Sequence, residues 1–84
     1  MTRKDMEVLK LLARRHGEWC FMFAGITRHT GFSRRQARAS CRYLAARGFA
    51  KLQRGLVNEH TLKFVGSGYG STPKGVMMVR RATA

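Results

Sequence analysis

Residues Thr30 to Gly48 read TGFSRRQARASCRYLAARG, and the fold turns on how this stretch is parsed. Gly31 supplies a turn, Phe32 an apolar plug between helices, and Ser33 a good helix N-cap. Gln36, three residues after Ser33, completes the sequence signature of a capping box. The helix then runs to about Arg47, where Gly48 provides the stop. Advancing by about 100° per residue places Ala37, Ser40, Cys41 and Leu44 on one side. Arg35, Ala39, Arg42 and Ala46 fall on the opposite side, with Arg38 at its edge, while Gln36 and Tyr43 border the first group. One face is small enough to let a neighbouring helix approach closely. The other is long, cationic and able to hydrogen-bond.

The composition around this helix is lopsided in the same direction. Eighty-four residues suit one small domain spanning 1–84, near the lower size at which a core suffices without staples. A hydrophobic fraction of 44% argues against a disordered chain. Seventeen Lys and Arg against four acids give a formal charge of +13. The acids are Asp5, Glu7, Glu18 and Glu59, so Trp19 to Asn58 holds eight Lys and Arg and no carboxylate. A merely solvated surface mixes the signs, whereas a polyanion partner accounts for their segregation. Non-specific adhesiveness is the bland alternative.

The flanks supply a scaffold. Thr2 and Asp5 form a capping-box pattern, and Met6, Leu9, Leu12 and Ala13 follow at helical spacing, widened by Val8 and Leu11. Arg14, Arg15 and His16 complement the helix end before Gly17. Glu18–Phe23, EWCFMF, fits a brief strand or a buried connection, and Phe23, Ile26 and Thr30 outline a short second helix ending at Gly31. Downstream, Phe49–Arg54 and Thr61–Val65 are the two strands expected of an antiparallel hairpin looping through Gly55–His60. The run Gly66–Ser71 either extends the second strand irregularly or forms another turn. Thr72-Pro73 looks like a cap and first turn, favouring a short final helix over about 73–82. Lys74 and Gly75 are poor first-turn residues, however, and Val76–Val79 would serve a strand nearly as well. Arg80–Ala84 is expected to fray.

Taken in order, these elements resemble the winged helix-turn-helix family. TGFSRRQARASCRYLAARGFAKLQRG is similar to the family's turn, Ser-Arg-Arg helix, Leu-x-x-Arg-Gly and first wing strand. YGSTPKG resembles the tyrosine and Thr-Pro-x-Gly segment that follows the second wing strand in bacterial members. The implied fold is α+β and mainly α, a three-helix core with a β-hairpin wing and a short C-terminal helix. The recognition helix would span about 33–47 and the wing about 49–71. Two departures stand out. Ala37 and Cys41 replace the larger aliphatics usual in that helix, which implies a thin core contact. The loop Gly55–His60 carries Asn58 and Glu59 but no lysine, so a strongly cationic wing tip is missing.

The resemblance implies sequence-specific binding of double-stranded DNA by a transcriptional regulator of bacterial or phage type. The recognition helix would enter the major groove with its N-terminal part nearest the bases. Arg35, Arg38 and Arg42 are then candidates for gripping guanine, Gln36 for adenine, and Ala39 for close approach or a thymine methyl. Arg28, Ser33, Arg34, Lys51, Arg54 and Lys63 are candidates for phosphate contacts that set register. A homodimer on half-sites is compatible with this class, and so is a monomer.

Other chemistries find no foothold. No Ser or Cys nucleophile has an identifiable His and carboxylate set, so no enzymatic activity is expected. Cys20, Cys41, His16, His29 and His60 do not reproduce a zinc-site spacing, and no metal or other cofactor is expected. GSGYG lacks the lysine of a phosphate loop. No stretch approaches the length of a membrane span, and the start has no secretion pattern. Reduced, buried thiols in a cytoplasmic, nucleoid-associated protein are the expectation. The alternative from another class is a small basic protein of phage or accessory type that uses the fold to dock on and inhibit a protein or nucleoprotein complex. A structural RNA-binding role ranks behind both, because only Tyr43 offers an aromatic on the arginine helix.

Overall fold

The structure, a computed structural model, describes residues 1–18, 20–57 and 64–83. Its elements are α1 (Arg3–Arg14), α2 (Phe23–Thr30), α3 (Arg34–Ala46), β1 (Ala50–Val57), β2 (Phe64–Ser71) and α4 (Pro73–Thr83).

The start of α1 follows from its cap. Thr2 Oγ1 accepts from the Asp5 amide and the Asp5 carboxylate accepts from the Thr2 amide, each at 3.1 Å. Val8, Leu9, Leu11 and Leu12 then bury one stripe of α1 against Ile26 of α2 and Leu44 of α3 in a single core cluster. Phe32, in the turn between α2 and α3, packs against that core as the sequence implied. On α3 the buried residues are Ala37, Ser40, Cys41 and Leu44, the four that helical spacing places on its inner side. Only Leu44 among them is large. The thin contact is real, and it lets α3 lie close to its neighbours.

Ser33 caps α3 by accepting from the Gln36 amide at 3.1 Å. The reciprocal half of the expected capping box does not form. Gln36 Nε2 instead donates down the helix to Ser40 Oγ at 2.9 Å, because the buried Ser40 hydroxyl needs a partner. Gly48 follows the C-cap residue Arg47 with φ +79°, a conformation that L side chains resist.

The first strand is longer than the sequence suggested, and the run Gly66–Ser71 extends the second strand, one of the two readings left open for it. β2 runs through the glycine-rich segment, with Ala50 opposite Ser71, Leu52 opposite Tyr69 and Gln53 opposite Gly68. A bulge follows Gln53, where Arg54 and Gly55 interrupt the register before Leu56 meets Gly66. Strand propensity alone disfavours three glycines here, but tertiary pairing overrides it. Tyr69 and Phe21 exchange backbone hydrogen bonds of 2.7 and 2.8 Å, so β2 is paired with Phe21 on the edge away from β1. Phe21 thereby realises the brief strand anticipated within EWCFMF. The expected strand residues Thr61–Lys63 and the tip Asn58–His60 lie outside the described residues.

The last element is a helix, not a strand, and it continues to Thr83, whose hydroxyl bonds the Val79 carbonyl at 2.9 Å, in place of the expected fraying from Arg80. Thr72 explains its start. Its hydroxyl accepts from the Gly75 amide at 3.1 Å and donates to the Gly48 carbonyl at 2.6 Å. Lys74 Nζ donates to the Arg47 carbonyl at 2.9 Å. Gly75 is buried where a Cβ would overlap the Phe49 carbonyl and press on Leu9. The residues that looked poor for a first turn are the ones that fasten α4 to the end of α3.

Candidate nucleic-acid interface

The outer side of α3 presents Arg35, Arg38, Ala39 and Arg42, all exposed. Among the described residues the ion pairs are Lys10 with Glu7 at 4.0 Å and Arg15 with Glu18 at 3.7 Å, both on or just beyond α1. No described carboxylate neutralises an arginine of α3. Asp5, the remaining described acid, is buried in its cap.

Two concavities flank this crest. The first, about 410 Å³, lies between α3 and the hairpin and is lined by Phe21, Phe23, Arg38, Arg42, Leu52 and Tyr69 among others. Phe23 and Tyr69 form its aromatic wall, with ring centroids 5.9 Å apart. The Arg38 guanidinium lies 5.7 Å from the Phe23 ring centre, a cation–π contact that orients it without neutralising it. The second, about 480 Å³, lies on the other edge of α3, between Gln36, Ala39 and Tyr43 and the first residues of the chain, Thr2 to Asp5. Arg47 closes over the Tyr43 ring at 5.3 Å.

The candidate residues do not all share one surface patch. Arg35, Arg38, Ala39 and Arg42 form the continuous outer face, while Gln36 sits half-buried at its margin with its amide engaged by Ser40. Ser33 and Arg34 are exposed at the start of α3, and Arg28 is exposed in the last turn of α2. Lys51 and Arg54 are exposed on β1. Lys63 lies outside the described residues. Sequence reasoning missed Phe23 and Tyr69 as the wall behind Arg38, because their meeting depends on the Phe21–Tyr69 bridge. It also missed Arg3 and Lys4, whose basic side chains border the second cleft, as their adjacency to α3 is purely tertiary.

The thiols are free; Cys41 is fully buried, but Cys20 is only partly so, against the expectation that both would be buried. No described helix is long and apolar enough to cross a membrane.

A helix, a turn and an arginine-bearing helix within a three-helix core, with an antiparallel hairpin beside it, define the winged helix-turn-helix fold. Solved structures place the chain in the same architecture. A Ralstonia eutropha JMP134 protein to which DNA binding has been ascribed superposes with a TM-score of 0.76 at 16% identity, over 100% of this chain and 99% of its own. Staphylococcus aureus MepR, solved in complex with DNA, gives 0.76 at 14% identity over 99% of this chain and 62% of its own. The Mycobacterium tuberculosis MarR-family protein Rv2887 gives 0.73 at 17% identity over 99% of this chain. The chain spans only 52% of Rv2887. No protein-family model and no curated protein matches the sequence.

Proposed function

We propose that the protein is a sequence-specific double-stranded DNA-binding regulator that places α3 in the major groove. The observation carrying this reading is the exposed face of Arg35, Arg38, Ala39 and Arg42 on a helix where no described acid opposes it. The likeness to MepR, whose structure includes DNA, supports DNA as the partner of this fold. Arg35 and Arg42 crown the crest and read guanine through its O6 and N7 acceptors. Arg38 joins them from the hairpin side, and Ala39 leaves room for a base edge or a thymine methyl. Gln36 reads a base only by releasing Ser40, so its share is smaller. Ser33, Arg34 and Arg28 hold phosphates near the start of α3, Lys51 and Arg54 do so from β1, and Lys63 is a further phosphate contact.

Selection of bound duplexes from a random library at two salt concentrations tests the proposal. An enriched motif that survives the higher salt is the expected result. Weak, uniform binding that disappears with salt would instead mark a purely electrostatic interaction.

A further inference from the structure

The proposed interface accounts for α3 and the hairpin but leaves the second cleft without a role. Its wall on α3 is Gln36, Ala39 and Tyr43, spaced at three and four residues, so the three stack along one edge of the helix. Arg38 and Arg42 mark the opposite edge, toward the hairpin. Facing Tyr43 across the second cleft stand Arg3 and Lys4, both exposed. Lys4 Nζ is held 5.8 Å above the Phe32 ring, next to the turn that leads into α3. Arg47, stacked on Tyr43, adds a third cation at the far end of the same edge. The one acid bordering the cleft is Asp5, which is 6% exposed and whose carboxylate is taken up by the Thr2 amide. The cleft therefore joins cations to a phenol hydroxyl, a donor set suited to phosphate oxygens and carrying no sequence information.

We infer that this second cleft is a phosphate-backbone clamp, through which Arg3, Lys4, Arg47 and the Tyr43 hydroxyl hold a DNA strand on the side of α3 opposite the hairpin. The inference rests on the DNA-binding reading above and extends it. A helix lying in the major groove has a backbone on each side, and the hairpin can reach only one of them. Arg3 and Lys4 supply the other.

The test compares fluorescence-anisotropy titrations of the selected duplex and a random duplex across a salt series. Arg3→Gln with Lys4→Gln should weaken both duplexes by about tenfold and flatten the salt slope by about one for each phosphate no longer held. Tyr43→Phe, which keeps the ring beneath Arg47, should weaken both by a smaller, equal factor. The control is Arg80→Gln with Arg81→Gln, which removes the same charge from the last turn of α4 at residues that line neither cleft; it should leave the slope nearly unchanged. Equal effects of the two double variants would overturn the clamp, reducing it to net charge. Weakening confined to the selected duplex would overturn it too, because a backbone contact is blind to sequence. Phosphate-ethylation interference with the unaltered protein gives a check independent of any variant: interfering phosphates on both sides of the groove support the clamp, and interference on the hairpin side alone refutes it. Arg35→Ala separates the clamp from the reading beneath it. If it weakens the selected duplex while Arg3 and Lys4 prove silent, the clamp fails alone; if all are silent, the DNA-binding reading fails with it.

Discussion

Gln36 Nε2 donates to Ser40 Oγ at 2.9 Å, one turn further along α3. Ser40 has no exposed surface, so this bond is what satisfies its hydroxyl inside the helix pair. Gln36→Ala should therefore cost about 1–3 kcal/mol, the penalty of a buried hydroxyl left without its partner. Adding Ser40→Ala should restore most of that stability, since both polar groups are then gone. Urea unfolding of the two single variants and the double variant checks this. Additive effects would show that the bond does not couple the two residues.

Gly75 makes a second sharp prediction. An alanine in an exposed helix position would gain about 1 kcal/mol over glycine. Here its methyl would collide with the Phe49 carbonyl and approach Leu9 Cδ1. Gly75→Ala should destabilise by about 2–3 kcal/mol, as overpacking against backbone does. Thermal unfolding followed by circular dichroism reads the sign, and a stabilised variant would mean that α4 moves away at little cost.

Specificity should be concentrated on the crest of α3. Arg35→Ala and Arg42→Ala are expected to weaken binding by about 1–3 kcal/mol on a selected duplex and much less on a random one. Arg38 differs because Phe23 orients it. Phe23→Leu should reproduce part of the Arg38→Ala effect without removing any charge, and competition binding with both duplexes measures the four effects together. Equal weakening on both duplexes would move these arginines from base reading to phosphate contact.

The elements that were legible in the sequence are those whose signals are local. Thr2 with Asp5, Ser33 with Gln36, and the stripe of Ala37, Ser40, Cys41 and Leu44 depend on spacing within one helix, and the structure reproduces their boundaries. What escaped was set by distant partners. The sequence leaves Gly66–Ser71 open between strand and turn, and the strand prevails because Tyr69 bonds Phe21, some fifty residues earlier, which no propensity encodes. Lys74 and Gly75 read as defects until the Arg47 and Phe49 carbonyls are placed beside them. The same holds for the interface. The arginines of α3 announce themselves by periodicity, whereas Arg3 and Lys4 become neighbours of Tyr43 only through the packing of α1 on α3.

The two thiols should behave differently, and Cys41 should leave a trace in the pH dependence of stability. Burial pushes the Cys41 thiol up from 9.0 to about 12, because the thiolate would forfeit its hydration inside the core. The folded chain thus holds this proton more tightly than the unfolded chain does. The stabilisation is fully present below pH 9.0 and is lost as pH rises toward about 12. Cys41→Ala should cost about 1 kcal/mol near neutrality from the space it vacates, yet its stability should fall less steeply on the alkaline side. Near pH 8 a thiol-specific reagent should modify the partly exposed Cys20 of the native chain first, and reach Cys41 only as the chain unfolds. Equal labelling of both thiols under native conditions would show that α3 opens far more readily than its buried face implies.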